Sequence, residues 1–169
     1  MIYNCKAKRQ NLKAAAVTAV FTVAFLSDLF LLPLPFMKPY RHLLEFLLAV
    51  FAAVVVTVAG RYLLRDYRYI LTENGDGVDL VVIETQGKRR RTVCRVALSD
   101  IREIADECKD NRRSLNERCR TMKKRYDYCI DLSAERAFRI FLTEREEKVS
   151  IRLSVDEGLK AHLSRLLKK

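Results

Sequence analysis

Apolar residues follow three different rhythms along this chain. Two runs, 14–32 and 43–64, are apolar on every face; from residue 67 to residue 153 apolar and polar positions alternate; over the last fifteen residues apolar positions recur about every four. The two runs predict helices long enough to leave water, because about 20 apolar residues at about 1.5 Å each cross about 30 Å of hydrocarbon. Their few charges, Asp28, Glu45 and Arg61, lie near helix ends, where they reach headgroups and water. Neither run has a polar face, which argues against a buried core helix of a soluble domain. The first run follows Lys6, Lys8, Arg9 and Lys13 as a signal peptide would, but Leu32, Pro33, Leu34, Pro35 and Phe36 stand where a small-x-small cleavage site would be needed. A retained two-helix hairpin over 14–64 is expected, preceded by a basic tail over 1–13. Its tight connection is stiffened by Pro33, Pro35 and Pro39.

The alternating part predicts strands, since period two buries one face and wets the other. Tyr67, Tyr69 and Leu71 share a face, and Asn74-Gly75-Asp76-Gly77 turns the chain into a strand over 78–85. A second turn, Gln86-Gly87-Lys88-Arg89, leads to a strand over 92–98, and 100–105 adds a short fourth. After a polar interruption the pattern resumes with Tyr126-Tyr128-Ile130-Leu132, Phe138-Ile140-Leu142 and Val149-Ile151-Leu153. The chain then predicts a helix. Ser154 and Glu157 have the spacing of a capping box, Val155, Leu159, Leu163 and Leu166 form its apolar stripe, and Lys168 and Lys169 suit the negative end of its dipole.

Charge sharpens this picture. Residues 65–169 hold 25 basic and 19 acidic side chains, and the interruption over 108–125 holds eight basic against two acidic, so that insertion alone matches the excess of the whole segment. Its basic residues are Lys109, Arg112, Arg113, Arg118, Arg120, Lys123, Lys124 and Arg125; a second cluster, Lys88, Arg89, Arg90 and Arg91, fills the second turn. Within the insertion, Ser114 and Glu117 suggest another capping box, and Leu115, Cys119, Met122 and Tyr126 recur as a narrow apolar stripe, which predicts a basic helix of about three turns. Two readings of it stay open: contact with anionic lipid of the inner leaflet, at up to about 1 kcal/mol per nearby Lys or Arg, or a solvated helix that keeps the insertion soluble. Basic charge alone reads no bases, so a nucleic-acid partner is not expected.

Lysines and arginines flank the two runs unevenly, four before the first, Arg61, Arg65 and Arg68 at the end of the second, and only Lys38 and Arg41 between them. The positive-inside tendency then puts both termini in the cytoplasm of a cell-membrane protein with two spans. Cys5, Cys94, Cys108, Cys119 and Cys129 are odd in number and lack CxxC spacing, as free thiols of a reducing compartment would.

Four strands, an interruption, three strands and a terminal amphipathic helix resemble the pleckstrin-homology superfold. Local phrases such as Tyr69-Ile70-Leu71-Thr72-Glu73 before a glycine turn and Val96-Ala97-Leu98-Ser99-Asp100-Ile101 belong to the same resemblance. Placed after a helical hairpin, the segment is similar to small bacterial membrane proteins with a PH-like cytoplasmic domain, over roughly residues 10–169. The fold this implies is a membrane α-helical hairpin plus an α+β domain over 65–169. That domain would be a bent antiparallel sheet or barrel of about seven strands with a C-terminal capping helix and an inserted basic helix. Lipid-binding members of the superfamily carry basic residues on the first two strands and the loop between them. Here that loop is Asn74-Gly75-Asp76-Gly77 between Glu73 and Asp79, so headgroup specificity at that position is not implied.

Catalysis finds no support. His42 and His162 lie in distant segments, and no nucleophile elbow, P-loop, HExxH or dinucleotide fingerprint is present. Asp127, Asp131 and Arg139 read as cross-strand charge pairs. No catalytic residue, cofactor or metal site is expected. The function expected is a non-catalytic interaction or scaffold module, with the bilayer, anionic headgroups and a protein partner or second copy as its contacts. Those contacts would fall on Lys88, Arg89, Arg90, Arg91, Arg112, Arg113, Arg118, Arg120, Lys123, Lys124 and Arg125. The alternative is a regulatory or structural subunit of an oligomeric transporter or channel in which the hairpin itself, with Asp28 and Glu45, is functional.

Overall fold

The computed structural model describes residues 2–9, 12–75, 77–132, 134, 136–144, 147–154 and 156–167, for Phe36 the backbone only. The two apolar runs form helices α1 (Lys13–Leu31) and α2 (Arg41–Val58), and α2 continues through a π-helical turn, Ala59–Leu63. Between them lies a 3-10 turn, Pro35–Tyr40, with Pro35 in its first turn, where a missing N–H costs nothing. Both helices are long and apolar enough to cross a membrane by length and composition. They pack on each other, with Phe21 edge-on to Phe51 at 5.8 Å, and their other faces are open: Phe30, Phe46 and Val56 are all exposed. Thr18 and Thr22 donate their hydroxyls to the carbonyls of Ala14 and Thr18, so they add no unpaired polar group to those faces.

Two four-stranded sheets follow. The first has the order β1-β2-β3-β4, all antiparallel: β1 (Tyr3–Lys6), β2 (Arg65–Asn74), β3 (Gly77–Gln86) and β4 (Arg89–Ala97). The second contains β5 (Ile101–Glu107), β6 (Lys124–Tyr128), β7 (Ala137–Glu144) and β8 (Glu147–Ser154), in the order β5-β7-β8-β6. Three expectations are corrected here. There are eight strands among the described residues, because the segment read as a basic tail supplies β1, with Tyr3 opposite Leu71 and Lys6 opposite Arg68. The sheets are not antiparallel throughout, since β6 runs parallel to β8. With β7 held between β5 and β8, β6 takes the outer edge of β8, and the chain direction there makes the pair parallel. Finally, β6 ends at Tyr128 rather than at Leu132, where the Cys129 N–H donates to the Asp127 carboxylate at 3.1 Å and turns the chain.

Neither helix starts at the serine that the sequence pattern suggested. Helix α3 (Arg112–Arg120) begins after Asn111, whose amide accepts from Cys108 N and donates to Asp106 O; Ser114 lies inside the helix. Helix α4 (Glu157–Leu166) begins after Asp156, which accepts from Leu159 N at 2.8 Å, whereas Ser154 belongs to β8 and accepts from Ile130 N. At α4 an aspartate directly ahead of the first turn wins because its short carboxylate reaches the free N–H groups there, whereas the Asn111 amide closes the turn that leads into α3. Val155, Lys168 and Lys169 lie outside the described residues. The stripe expected in the insertion holds for Leu115, Cys119 and Met122, while Tyr126 belongs to β6.

The core lies between the sheets and is closed by α4. Tyr69, Leu71, Leu80 and Val82 meet Phe138, Ile140, Ile151 and Leu153, and Leu159 and Leu163 cover the open end. At about 1.5–3 kcal/mol for each fully buried aliphatic side chain, those two leucines are what fix α4 to the sheets. The Tyr69 hydroxyl, fully buried, donates to Tyr128 O at 3.0 Å and accepts from Ser154 N at 3.1 Å, tying the first sheet to the second.

Candidate functional site

The outer face of the second sheet is where the basic insertion settles. Leu115 and Cys119 of α3, with Met122 just beyond its end, pack on Phe141 and Ala105, which buries part of that face under the helix. Beneath lies Glu107, 1 % exposed, at the end of β5. Three guanidinium groups converge on it: Arg139 Nε at 2.5 Å, Arg152 through Nε at 3.0 Å and a terminal nitrogen at 2.9 Å, and Arg112 Nε at 3.0 Å. Burial alone would raise the Glu107 pKa, but the Arg139 hydrogen bond and the charges of Arg152 and Arg139 outweigh it and hold the carboxyl below its ordinary value. Arg139 is fixed further by Cys119 Sγ and Asn116 Oδ1, each at 2.7 Å. Arg152 also reaches Asp127 at 3.4 Å, and Arg61, from the π-helical turn at the base of α2, approaches the same carboxylate at 3.7 Å. The cross-strand pair expected of Asp127 is therefore made with Arg152, while Arg139 turns to Glu107.

Helix α3 stops short of the edge strand β6, leaving a cleft of about 340 Å³ between them. Arg139, Arg152 and Ser150 form its floor, Arg120 and Arg125 its walls, and the Asp127 carboxylate also lines it. Neither wall arginine has an ion-pair partner among the described residues. The clustering was not visible in sequence, because Glu107 stands 32 and 45 residues from two of its partners.

The eleven basic residues singled out in sequence do not form one surface. Arg112 belongs to the Glu107 cluster; Arg113 pairs with Glu117, and Arg118 pairs with Glu103 while lying over the Phe141 ring at 4.3 Å. Lys124, the first residue of β6, and Lys123 just before it both pair with Glu147 at the start of β8. Arg120 and Arg125 line the cleft. Lys88, Arg89 and Arg90 are exposed at the β3–β4 turn, and Arg91 pairs with the buried Glu84 at 3.0 Å. That turn needs a residue in the left-handed region, which Gly87 supplies at φ 59°.

Register fixes where this turn sits. Arg65, the first residue of β2 after the helical segment, lies opposite Gln86, and Gln86 lies opposite Arg89. The basic turn is thus at the helix end of the first sheet. The Asn74/Gly77 turn, with Glu73 beside it, is at the other end, about 30 Å away over a ten-residue strand.

The thiols are built into the packing. Burial pushes Cys94 up to about 11, and burial followed by the Asp156 charge pushes Cys5 up to about 12, so both stay protonated near neutrality. All five cysteines are free. Among the described residues, no three His, Cys, Asp or Glu side chains converge as metal ligands would.

A family model described as a bacterial PH-like domain (DUF6106) matches residues 4–169. The chain belongs to this family. The match takes in β1 from Asn4 onward and both apolar helices as well as the rest of the two sheets, so the DUF6106 unit includes the helical insertion between β1 and β2. No curated protein and no solved structure matches the chain.

Proposed function

We propose that this chain is a non-catalytic, PH-like interaction module held at the inner face of the cell membrane by α1 and α2, with its basic β3–β4 turn against anionic headgroups. The observation that carries the reading is the polarity of the first sheet: Lys88, Arg89 and Arg90 lie at the end where the chain leaves α2, and the acidic turn lies at the far end. Apolar helices with open outer faces suit hydrocarbon, and β1–β2 pairing demands that the segments before and after the helices stay on one side of it. The far end is left in water for a protein partner or second copy.

The test uses the full chain in native membranes, with a photo-crosslinking residue placed at Lys88 or at Gly75. Phospholipid is captured from position 88 and protein rather than lipid from position 75, and Arg89→Gln with Arg90→Gln reduces the lipid capture. Equal capture of lipid from both positions sinks the reading. One observation favours the alternative, a functional hairpin: Asp28 is 5 % exposed and its Oδ2 has no hydrogen-bond partner among the described residues, whereas Glu45 pairs with Arg41 and His42. Loss of function in Asp28→Asn, with lipid capture at position 88 intact, selects that reading.

A further inference from the structure

The cleft between α3 and β6 has a charge pattern that its structural role leaves unexplained. Six guanidinium groups (Arg61, Arg112, Arg120, Arg125, Arg139 and Arg152) surround only two carboxylates, Glu107 and Asp127, among the described residues of this cluster. Both acids are already shared, Glu107 among three arginines and Asp127 between two. Packing like charges at this density raises the energy of the folded chain unless an anion offsets it. Arg120 and Arg125 have no ion-pair partner among the described residues, yet they face one concave space lined by two further arginines, the buried Ser150 and the Asp127 carboxylate, which Arg61 and Arg152 already share. Arg139 and Arg152 stand opposite each other in the β7–β8 register, so the floor is held by strands rather than by a loop.

We propose that this cleft binds a phosphorylated anion through Arg120 and Arg125, backed by Arg152. Guanidinium forks match phosphate oxygens two at a time, and an excess of more than one positive charge favours a multiply charged tetrahedral group over a single carboxylate. A volume of about 340 Å³ admits a phosphate together with part of the group that carries it. The source is a free phosphate or a lipid headgroup. The Arg61–Asp127 contact brings the cleft's rim to the base of α2, within reach of a headgroup if the helices lie in a bilayer. The inference goes beyond the membrane-contact reading, which rests on the β3–β4 turn, and it holds for the chain in detergent as well.

The experiment follows the thermal midpoint of the full chain in neutral detergent as inorganic phosphate is titrated at constant ionic strength. A saturable rise is expected. In Arg120→Gln/Arg125→Gln the apparent affinity falls about tenfold or more, while Lys88→Gln/Arg89→Gln/Arg90→Gln responds like the parent chain. Arg120 and Arg125 are exposed, so the double variant folds, as circular dichroism checks. Nanodiscs separate the two sources. If phosphatidic acid in phosphatidylcholine raises the midpoint and abolishes the response to free phosphate, the anion is lipid-borne; if the phosphate response persists unchanged, it is free. A midpoint that follows ionic strength alone, or an undiminished response in the double variant, overturns the proposal.

Discussion

Glu107 shows how one residue sets a local charge balance. Removing one partner of a buried ion cluster costs about 3–5 kcal/mol because the opposite charges are left without compensation, so Glu107→Gln, which keeps the shape and strands three arginines, lowers stability by about that amount in chemical denaturation. The pH dependence follows in sign. Its carboxyl is held below the ordinary 4.5 in the folded chain, so its stabilisation is present above that value and is lost as pH falls further, through the folded pKa. The acid limb of the thermal midpoint against pH should therefore be steeper in the parent chain than in Glu107→Gln. Residues of this kind were the least legible in sequence. Asp127 and Arg139 stood out as outward strand charges, but a strand pattern gives the face and not the partner. The serine–glutamate spacings at Ser114 and Ser154 matched a capping box while the helices begin after Asn111 and Asp156, only the second of which caps its helix with its side chain, since a four-residue spacing does not locate the first helical turn.

At the scale of elements, the seven alternating segments from residue 65 onward became strands and the two amphipathic stretches became helices, because period and burial agree. Strand β1 escaped notice: its four residues, Tyr3, Asn4, Cys5 and Lys6, carry a weak alternation, and its partner lies 64 residues further on, with Cys5 Sγ donating to Tyr69 O at 3.8 Å. It matters out of proportion to its length. The Tyr3 hydroxyl donates to Asp156 at 2.6 Å, the same carboxylate that caps α4, and its pKa is pushed up to about 12, chiefly by that hydrogen bond. Tyr3→Phe should cost about 1.5–3 kcal/mol, as for a hydrogen bond to a charged group, and should speed hydrogen exchange at Leu159 N more than at Ile140 N. Uniform acceleration at both would show that β1 and α4 are not coupled through Asp156.

For the whole molecule, the two apolar helices are an insertion between neighbouring strands rather than a leader ahead of a separate domain, a relation that hydropathy could not reveal because it reports length and not pairing. A reporter fused before β1 and one fused after α4 should therefore read the same side of the membrane, and opposite sides would be incompatible with the β1–β2 register. The same relation bears on how the protein is made. Strand β1 leaves the ribosome well before β2, and until β2 follows it has no partner, so the first sheet closes only after both helices have been synthesised and, on the proposed placement, inserted. Completion of the sheet then reports that insertion has succeeded: a chain whose second helix fails to turn back strands β1 on the wrong side, with the edge of β2 open to proteolysis.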